Sequence, residues 1–299
     1  GGGSVYIFRT TDGGGTWSQV AKLVASDGVS IGPSNLVAVA ISGDVVVAGA
    51  YGDSSISTGV GSAYVFCTSD GGDTYNQVAK LTADDVTNGF GYSVAIDGAT
   101  VVAGAPYDDD DGTNSGAAYV FLVPRTSSWP QLAKMVASDA AASDYFGGSV
   151  AASGDLVAVG AYGDDSNTGS VYILRLDSSA AGYTQLVKLT ASDAAAYSNF
   201  GDSVAIDGNT IVVGASRDNG GASNSGSAYV FRQVTAYVEV AKLTASDASY
   251  GANFGRAVAI DGDTIVIGAN DMDNFGTGAL YIFRTTDGGA TYGQVAKLT

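Results

Sequence analysis

Short apolar runs, separated by polar turns, follow one another along the whole chain. In one such unit the run 203–206 leads into Asp207-Gly208, and a second run follows at 210–215. An Asp-Gly pair between two β-branched runs predicts a hairpin, because both turn residues tolerate positive φ. After a polar loop come 226–231 and then 237–243, so the unit contains four predicted strands, A to D. No helical stripe of useful length interrupts them.

This four-strand unit repeats. The phrase Val-Ala-Lys-Leu or a close variant recurs at intervals of 54 to 58 residues, with its lysine at Lys22, Lys80, Lys134, Lys188, Lys242 and Lys297. An aromatic residue stands five positions before each lysine, at Trp17, Tyr75, Trp129, Tyr183, Tyr237 and Tyr292. An aspartate stands five positions after each of the first five, at Asp27, Asp85, Asp139, Asp193 and Asp247. Self-similarity at a nearly fixed period indicates a repeat architecture.

The composition of the strands indicates how the units pack. Runs such as 45–48 and 265–269 are apolar on both faces, so both faces of each sheet should be covered. Four-stranded sheets without helices can cover both faces by stacking radially on one another. We therefore predict an all-β fold, a β-propeller of four-stranded antiparallel blades. An open β-solenoid is the alternative, although its repeats are usually shorter.

The predicted strands form one domain, 1–299, with an incomplete unit at its start. Residues 1–27 supply only strands C and D, a half-blade, and five full repeats follow at approximately 28–85, 86–139, 140–193, 194–247 and 248–299. We prefer a six-bladed closure, with the missing A and B strands lying beyond residue 299. A five-bladed ring with a spare hairpin is the alternative, and strand addition by a neighbouring molecule would also complete the half-blade. Because a lone two-stranded unit is marginal in water, the hairpin predicts an assembly site.

Composition excludes several classes of function. The chain has no His, so His-based catalysis and His-ligated zinc are excluded, and its single cysteine, Cys67, cannot form an internal disulfide. The net charge of −17 makes nucleic acid a poor partner. No apolar stretch approaches the length of a membrane helix. We therefore expect a folded, non-enzymatic protein that neither enters a membrane nor binds nucleic acid.

Phe-Gly pairs open strand A in four units, at Phe90-Gly91, Phe146-Gly147, Phe200-Gly201 and Phe254-Gly255. Each is followed by Gly-Ala at the end of strand B, as in Gly104-Ala105-Pro106. These motifs resemble the FG-GAP repeat of the integrin α-chain propeller and of many bacterial and algal surface proteins. The resemblance implies a propeller and an extracellular or cell-surface location, but it says little about function, because propellers have unrelated activities.

The resemblance also implies a calcium loop between strands A and B, and here the chain departs from the family. Its A–B turns are two residues long, such as Asp97-Gly98. Calcium requires six to eight oxygen ligands, which so short a turn cannot supply. We expect the family's main metal site to be absent, and no cofactor to be required.

A second resemblance lies on the C–D hairpins. The stretch 10–17, from Thr10 to Trp17, is similar to the Asp-box of sialidases and related propellers, and 68–75 and 285–292 repeat it with Tyr at the end. The resemblance implies a structural turn in which the aspartate caps backbone amides and the aromatic residue packs beneath. The residues in these roles are Asp12, Asp70 and Asp287, with Trp17, Tyr75 and Tyr292.

The B–C loops are the longest loops and carry much of the negative charge. We consider a Ca²⁺ or glycan site at Asp108, Asp109 and Asp111, with Asn114 as a further candidate. The alternative is a solvated acidic edge, which we favour because consecutive aspartates lack the alternating spacing of calcium loops.

The lysine and aromatic columns each have two interpretations. The lysines could form a binding ring, but we favour outward positions that block pairing at the edge of strand D. The aromatic residues could stack on sugars, but we favour packing.

The function predicted from these features is that of an extracellular structural or adhesive protein, a protomer of a filament or surface assembly, with itself as the main partner. The alternative is a glycan- or Ca²⁺-dependent binding module that uses the B–C loop face and contacts glycans or other surface proteins.

Overall fold

The computed structural model describes residues 4–29, 38–55, 59–85, 88–123, 129–177, 182–270 and 278–299. In these residues the chain forms 22 strands and one helical turn, α1 (Asp164–Asn167). The strands are β1 (Val5–Arg9), β2 (Ser18–Leu23), β3 (Val39–Ser42), β4 (Val45–Ala50), β5 (Ser62–Cys67), β6 (Asn76–Leu81), β7 (Ser93–Asp97), β8 (Thr100–Ala105), β9 (Ala117–Leu122), β10 (Gln131–Met135), β11 (Phe146–Ser153), β12 (Leu156–Ala161), β13 (Ser170–Asp177), β14 (Gly182–Leu189), β15 (Phe200–Asp207), β16 (Thr210–Ala215), β17 (Ser227–Gln233), β18 (Tyr237–Leu243), β19 (Ala257–Asp261), β20 (Thr264–Ala269), β21 (Ala279–Arg284) and β22 (Gly293–Leu298).

Strands that follow one another in the chain are neighbours in antiparallel sheets. Within the described residues there are five four-stranded sheets and one two-stranded sheet, β1–β2. We call β1–β2 the half-blade, and β3–β6, β7–β10, β11–β14, β15–β18 and β19–β22 blades 1 to 5. The prediction of an all-β chain built from four-stranded antiparallel units is confirmed. Ring closure and the number of blades in a closed ring stay predictions.

The turns between strands A and B have two residues, one position later than the sequence suggested. In blade 2, Asp97 pairs with Thr100, so the turn residues are Gly98 and Ala99. The first turn position has positive φ, 52° at Gly98, which favours glycine there. Asp97 is therefore the last strand residue, and its Oδ2 accepts a hydrogen bond of 2.7 Å from the amide of Gly154 in blade 3. The aspartate of the Asp-Gly pair thus bridges two blades.

Consecutive blades pack face to face through their first strands: β3 against β7, β7 against β11, β11 against β15, and β15 against β19. The buried core lies between the sheets, as where Val230 and Leu243 of blade 4 meet Phe254 and Ile267 of blade 5. Because each inner sheet has apolar contacts on both faces, it needs no covering helix. These sheets are propeller-like blades.

The Phe-Gly pairs account for the close approach of the blades. The Phe200 side chain is buried, with its ring centroid 5.4 Å from that of Tyr229 and 5.9 Å from that of Phe231. A Cβ atom on Gly214 in strand B would overlap the carbonyl oxygen of Gly255 in the next blade. Glycine is therefore required where the two backbones meet.

Candidate functional site

Three C–D hairpin turns are organised by the carboxylates of Asp12, Asp70 and Asp287. The Oδ1 atom of Asp70 accepts hydrogen bonds from the amides of Asp73 and Thr74, both at 3.0 Å, and from the hydroxyl of Thr68 at 2.7 Å. The Oδ2 atom accepts a fourth from the Thr74 hydroxyl at 2.6 Å. This bond, the amide bonds and the Thr68 bond lower the pKa of Asp70 well below its ordinary range. The contacts made by Asp12 and Asp287 are equivalent. These carboxylates hold the turns together.

The aromatic residues after these turns differ in their surroundings. Tyr75 and Tyr292 are partly buried against the interblade core. The Trp17 side chain is 62% exposed. Each partly buried member of the column packs towards the preceding blade, as where the Tyr183 hydroxyl accepts a hydrogen bond from the Val136 amide at 3.1 Å. The half-blade has no preceding blade in the described residues, which explains the exposure of Trp17.

The lysines form ion pairs between blades. The ammonium of Lys134 in blade 2 lies 2.7 Å from Oδ2 of Asp85, which follows strand D of blade 1. It also lies 3.0 Å from Oδ2 of Asp108 and 2.5 Å from Oδ2 of Asp110, both in the B–C loop of blade 2. Its Nζ is 5.6 Å from the centre of the Tyr119 ring, and the Tyr119 hydroxyl donates to Asp85 at 2.9 Å. One cation therefore joins three carboxylates and an aromatic ring.

The same network recurs in blades 1, 3 and 4. The lysine pairs with an aspartate from the preceding unit and with a buried aspartate of its own B–C loop, in the sets Lys80–Asp27–Asp53, Lys188–Asp139–Asp164 and Lys242–Asp193–Asp218. In blade 5, Lys297 pairs with Asp247 at 2.5 Å, and the loop 271–277 lies outside the described residues. The prediction of outward lysines that guard a strand edge is wrong for the lysines of blades 1 to 4, because their ammonium groups pair with buried carboxylates as well as with the preceding unit. Lys297 also pairs between blades, but its partner Asp247 is half exposed.

Charge pairing shifts the pKa values of both partners, the aspartate and the lysine. Burial alone would raise the pKa of Asp85, but hydrogen bonds from Lys134 and Tyr119 lower it below its ordinary value. Burial likewise opposes the charged form of Lys134, whereas hydrogen bonds to Asp110, Asp85 and Asp108 raise its pKa above its ordinary value. Both shifts favour the ion pair between Asp85 and Lys134 at neutral pH.

The proposed metal residues do not form one cluster. The carboxylates whose oxygens lie within 4.8 Å of one another are Asp85, Asp108 and Asp110, and the Lys134 ammonium contacts all three. The Asp109 Oδ1 atom accepts a hydrogen bond from the Asn114 amide at 2.7 Å, and Asp111 is exposed. A calcium site at Asp108, Asp109 and Asp111 stays a prediction. The two-residue A–B turns do not fit the family's calcium loop.

A row of five tyrosines lies where the B–C loops begin and strand A starts. Ring centroids are 5.3 Å apart for Tyr51 and Tyr92, 5.7 Å for Tyr92 and Tyr107, 6.1 Å for Tyr107 and Tyr145, and 5.0 Å for the stacked pair Tyr145 and Tyr162. Burial and neighbouring tyrosines raise the pKa of Tyr107 to about 12. We call this group the tyrosine row. Sequence reasoning missed it because its members occupy two different positions in the repeat.

An ion pair from blades 4 and 5 lies near the tyrosine row. Arg256 Nη1 contacts both carboxylate oxygens of Asp202, at 2.5 Å and 2.6 Å, and Ser216 donates to Asp202 Oδ2 at 2.6 Å. Burial raises the pKa of Tyr92, and the positive charge of Arg256 partly opposes this shift. Residues of all five blades thus contribute to one polar and aromatic surface.

Two separate cavities lie in the described part of the structure, one polar and one apolar. The larger, about 570 Å³, lies between the loop 139–144 and the loop 163–167 and is lined by Asp144, Asp164 and Lys188. Burial, together with the nearby charge of Asp164, raises the pKa of Asp144. The smaller, about 410 Å³, is an apolar groove along the outer face of blade 5, lined by Leu280 and Leu298.

The two ends of the series of blades expose side chains that the inner blades bury. Leu243 of blade 4 is 4% exposed, whereas its equivalent in blade 5, Leu298, is 53% exposed. Phe231 is 4% exposed, whereas its equivalent in the half-blade, Phe8, is 54% exposed. These two surfaces, the outer face of blade 5 and the open side of the half-blade, are called the open ends.

None of the helical structure in the described part of the chain is long and apolar enough to cross a membrane.

Comparison with known proteins agrees with the repeat seen in the structure. The FG-GAP repeat profile matches five segments, residues 17–66, 75–121, 129–174, 183–231 and 237–283. Each segment begins near strand D of one sheet and ends in strand C of the next, so the repeat of the sequence spans two sheets. A search of curated proteins finds no match to the chain. With five matches that together cover most of its length, the chain belongs to the FG-GAP repeat family.

Proposed function

We propose that this chain is a non-enzymatic, extracellular structural or adhesive protein that assembles with itself through its open ends. FG-GAP repeats are typical of extracellular or surface proteins and are typically non-catalytic, which supports both parts of the proposal. Several ionised side chains of the described residues hold turns or join blades, as Asp70 and Lys134 do. Such a distribution suits a scaffold.

The observation that carries the proposal is the contrast between equivalent residues. Leu298 and Phe8 are more than half exposed, whereas Leu243 and Phe231 are buried. Contiguous exposed apolar surface of this kind usually marks an interaction site. The outer face of blade 5 and the open side of the half-blade also correspond to the two sides of one interblade contact, so a head-to-tail arrangement of copies would propagate into a filament.

Sedimentation velocity over a hundredfold concentration range, with negative-stain imaging of the same samples, tests the proposal. We expect species larger than a monomer whose population grows with concentration. The variant Leu298→Asp should shift the distribution towards monomer, and Val234→Asp, at a strongly exposed position, is the matched control. A chain that stays monomeric at every concentration would contradict self-assembly.

A second candidate function, glycan binding at the B–C loop face, is favoured by the tyrosine row. Tyrosines combine a flat apolar ring with a hydroxyl, which suits sugars. The neighbouring Arg256–Asp202 pair adds hydrogen-bonding groups beside Tyr92. A glycan array with the chain and its Tyr145→Ala variant tests this candidate, with and without Ca²⁺. Binding that the variant loses supports it, and an array without hits removes it.

A further inference from the structure

The rings of Tyr145 and Tyr162 form a parallel stack at one end of the tyrosine row. Their centroids are 5.0 Å apart and their planes differ by 4°. The other three contacts of the row have interplanar angles of 63° to 85°. Parallel aromatic rings prefer an offset arrangement, in which the edge of one ring lies over the face of the other. This arrangement places ring carbons of the two phenols side by side.

Two glycines of blade 3 leave the space that these rings occupy. A Cβ atom on Gly148 would lie 2.9 Å from the Cδ1 and Cε1 atoms of Tyr162, and one on Gly163 would lie 2.7 Å from Cδ2 of Tyr145. Each ring therefore rests on a backbone that a larger residue would push away. At the position of Gly148, blades 2, 4 and 5 carry Tyr92, Asp202 and Arg256. The place for the Tyr162 ring is thus a feature of blade 3.

The backbone of Tyr145 is held in a conformation that disfavours a large side chain. Its φ of 56° lies in the left-handed region, where a tyrosine is strained. The equivalent residues of blades 2, 4 and 5 also have positive φ, but they are of types that tolerate it: Gly89, Asn199 and Asn253. The fold therefore requires the backbone conformation but not the tyrosine. A phenol ring retained at this position indicates a role for the side chain.

The rest of the row connects the stack to three further phenols, Tyr51, Tyr92 and Tyr107. Neighbouring centroids in the row are at most 6.1 Å apart, and all five side chains are partly exposed. Phenol rings this close exchange an electron together with a proton, so a radical formed on one ring can move to the next. Burial raises the pKa of Tyr162, and that of Tyr107 to about 12, so both phenols keep their protons at neutral pH.

We propose that the stacked pair is an oxidative cross-linking site, at which Tyr145 and Tyr162 are joined by a carbon–carbon bond into dityrosine. The oxidant is hydrogen peroxide activated by a haem peroxidase. The chain has one cysteine and cannot form an internal disulfide, so dityrosine would supply the covalent link that extracellular proteins usually obtain from disulfides. The inference goes beyond the proposed self-assembly, because the bond forms within one molecule.

The reaction removes two electrons and two protons from the pair. Each phenol loses one electron to the oxidant and one proton to water, and becomes a phenoxyl radical. The two radicals combine at carbon atoms ortho to their hydroxyls, and the hydrogen on each of these carbons then moves to the oxygen of its own ring. One hydrogen peroxide takes up the two electrons and two protons and becomes two water molecules. The product is the same chain with two hydrogen atoms fewer.

Other tyrosines of the described residues are less suited to this reaction. One set is buried between blades and donates to aspartates, namely Tyr64, Tyr119, Tyr172 and Tyr229. Tyr197 is 65% exposed and therefore easily oxidised, but no ring in the described part of the chain packs against it. A radical on Tyr197 has no partner within the same molecule. Tyr197 is thus the natural control for exposure without stacking.

Peroxidase treatment of the dilute, monomeric chain with limiting hydrogen peroxide tests the proposal. We expect dityrosine fluorescence, a chain that stays monomeric on denaturing gels, and an intact mass lower by two hydrogen atoms. Cleavage before aspartate separates Tyr145 and Tyr162 into the fragments 144–154 and 155–163, each with a single tyrosine. Mass spectrometry should find these two fragments joined. Absence of the joined fragments from oxidised monomer overturns the inference.

Variants show whether the stack is the reacting pair. Tyr145→Phe and Tyr162→Phe keep a ring in place but remove the phenol, and each should lose the joined fragments and most of the fluorescence. Tyr145→Asn should lose them too, and it introduces the residue that blades 4 and 5 carry at this position, so it should fold. Tyr197→Phe is the matched control and should keep the parent yield. An equal yield from Tyr145→Phe and the parent, or a main product that joins Tyr197, overturns the inference.

The stability of the oxidised chain reports the geometry in which the bond forms. A link between residues 145 and 162 restricts the unfolded chain, and rings that already stack need little movement to form it. The thermal midpoint of the monomer should therefore rise by several degrees on oxidation, and it should not rise in Tyr162→Phe. Joined fragments together with a lowered midpoint overturn the inference, because the bond would then have required blade 3 to open. None of these outcomes depends on whether the chain self-associates.

Discussion

The ammonium of Lys134 in blade 2 lies 2.7 Å from the carboxylate of Asp85, which follows the last strand of blade 1. The two residues are far apart in the sequence, and their pair joins two sheets. Because Asp108 is buried and shares the same ammonium, removal of the cation would leave buried negative charge without compensation.

The variant Lys134→Met should therefore lower the free energy of unfolding by about 2–3 kcal/mol. This is less than the cost of breaking a fully buried pair, because a fifth of the Lys134 side chain remains exposed. Urea unfolding followed by circular dichroism measures the change. Lys22→Met is the matched control, since the described residues give Lys22 no carboxylate partner, and it should change stability by less than about 0.5 kcal/mol. Equal losses in the two variants would contradict the role of the network.

Stability should depend on pH at both extremes. The folded-state pKa of Asp85, like those of Asp27, Asp139, Asp193 and Asp247, lies below the ordinary 3.8. The stability that these groups contribute is fully present above pH 3.8 and is lost as pH falls through the lowered values. The folded-state pKa of Lys134, like that of Lys80, lies above the ordinary 10.5, so its contribution is complete below pH 10.5 and is lost at higher pH.

Thermal unfolding between pH 2 and pH 12 checks both limbs. We expect a plateau at intermediate pH and a falling midpoint below about pH 4. In Lys134→Met the acid limb should be shallower, because Asp85 no longer has its lysine. An acid limb of unchanged steepness would show that other groups cause the acid unfolding.

Periodicity along the chain predicts the strands and the columns of Lys, Asp and aromatic residues, because each recurs at the same position of the unit. It does not reveal that Lys80 pairs with Asp27 of the preceding unit. A repeat period shows which residues occupy equivalent positions, but it does not show which sheets face each other. The tyrosine row is hidden for a related reason. Tyr92 and Tyr107 belong to different positions of the repeat. They meet because strand A starts, and the B–C loop begins, at the same end of the sheet.

Asp70 offers a graded test of the turn carboxylates. Asp70→Ala removes the acceptor for two amides and two hydroxyls and should lower the thermal midpoint by several degrees. Asp70→Asn keeps one acceptor oxygen and should lower it less. Asp73→Ala, which loses one exposed ion pair with Arg9, is the neighbouring control and should change the midpoint little. If the three variants have the same midpoint, the turn does not depend on the Asp70 carboxylate.

The buried carboxylate of Asp144 should oppose folding at neutral pH. Burial raises its pKa, and the nearby Asp164 adds repulsion, so the folded state favours the protonated form. Asp144→Asn retains an oxygen that can accept the 2.7 Å hydrogen bond from the Ala141 amide, and it should raise stability at pH 7 by about 0.5 kcal/mol. The gain should disappear as pH falls through the raised pKa of Asp144. A gain that persists at pH 3 would point to a cause other than ionisation.

Two equivalent glycines of strand B should differ sharply in their tolerance of a methyl group. A Cβ atom on Gly214 would overlap the backbone of Gly255 in the next blade, so Gly214→Ala must separate two blades. A Cβ atom on Gly268, at the same position of blade 5, would meet its nearest neighbour, Ala257 Cβ, at 3.5 Å, which is ordinary contact. We expect Gly214→Ala to cost about 3 kcal/mol or more and Gly268→Ala to cost less than about 1 kcal/mol, measured by urea unfolding of the monomer. At concentrations where the chain self-associates, Gly268→Ala should instead weaken association. A partner that packs on blade 5 as closely as blade 5 packs on blade 4 would overlap the added methyl group. A large loss of stability in monomeric Gly268→Ala would mean that the outer face of blade 5 is already covered within the molecule.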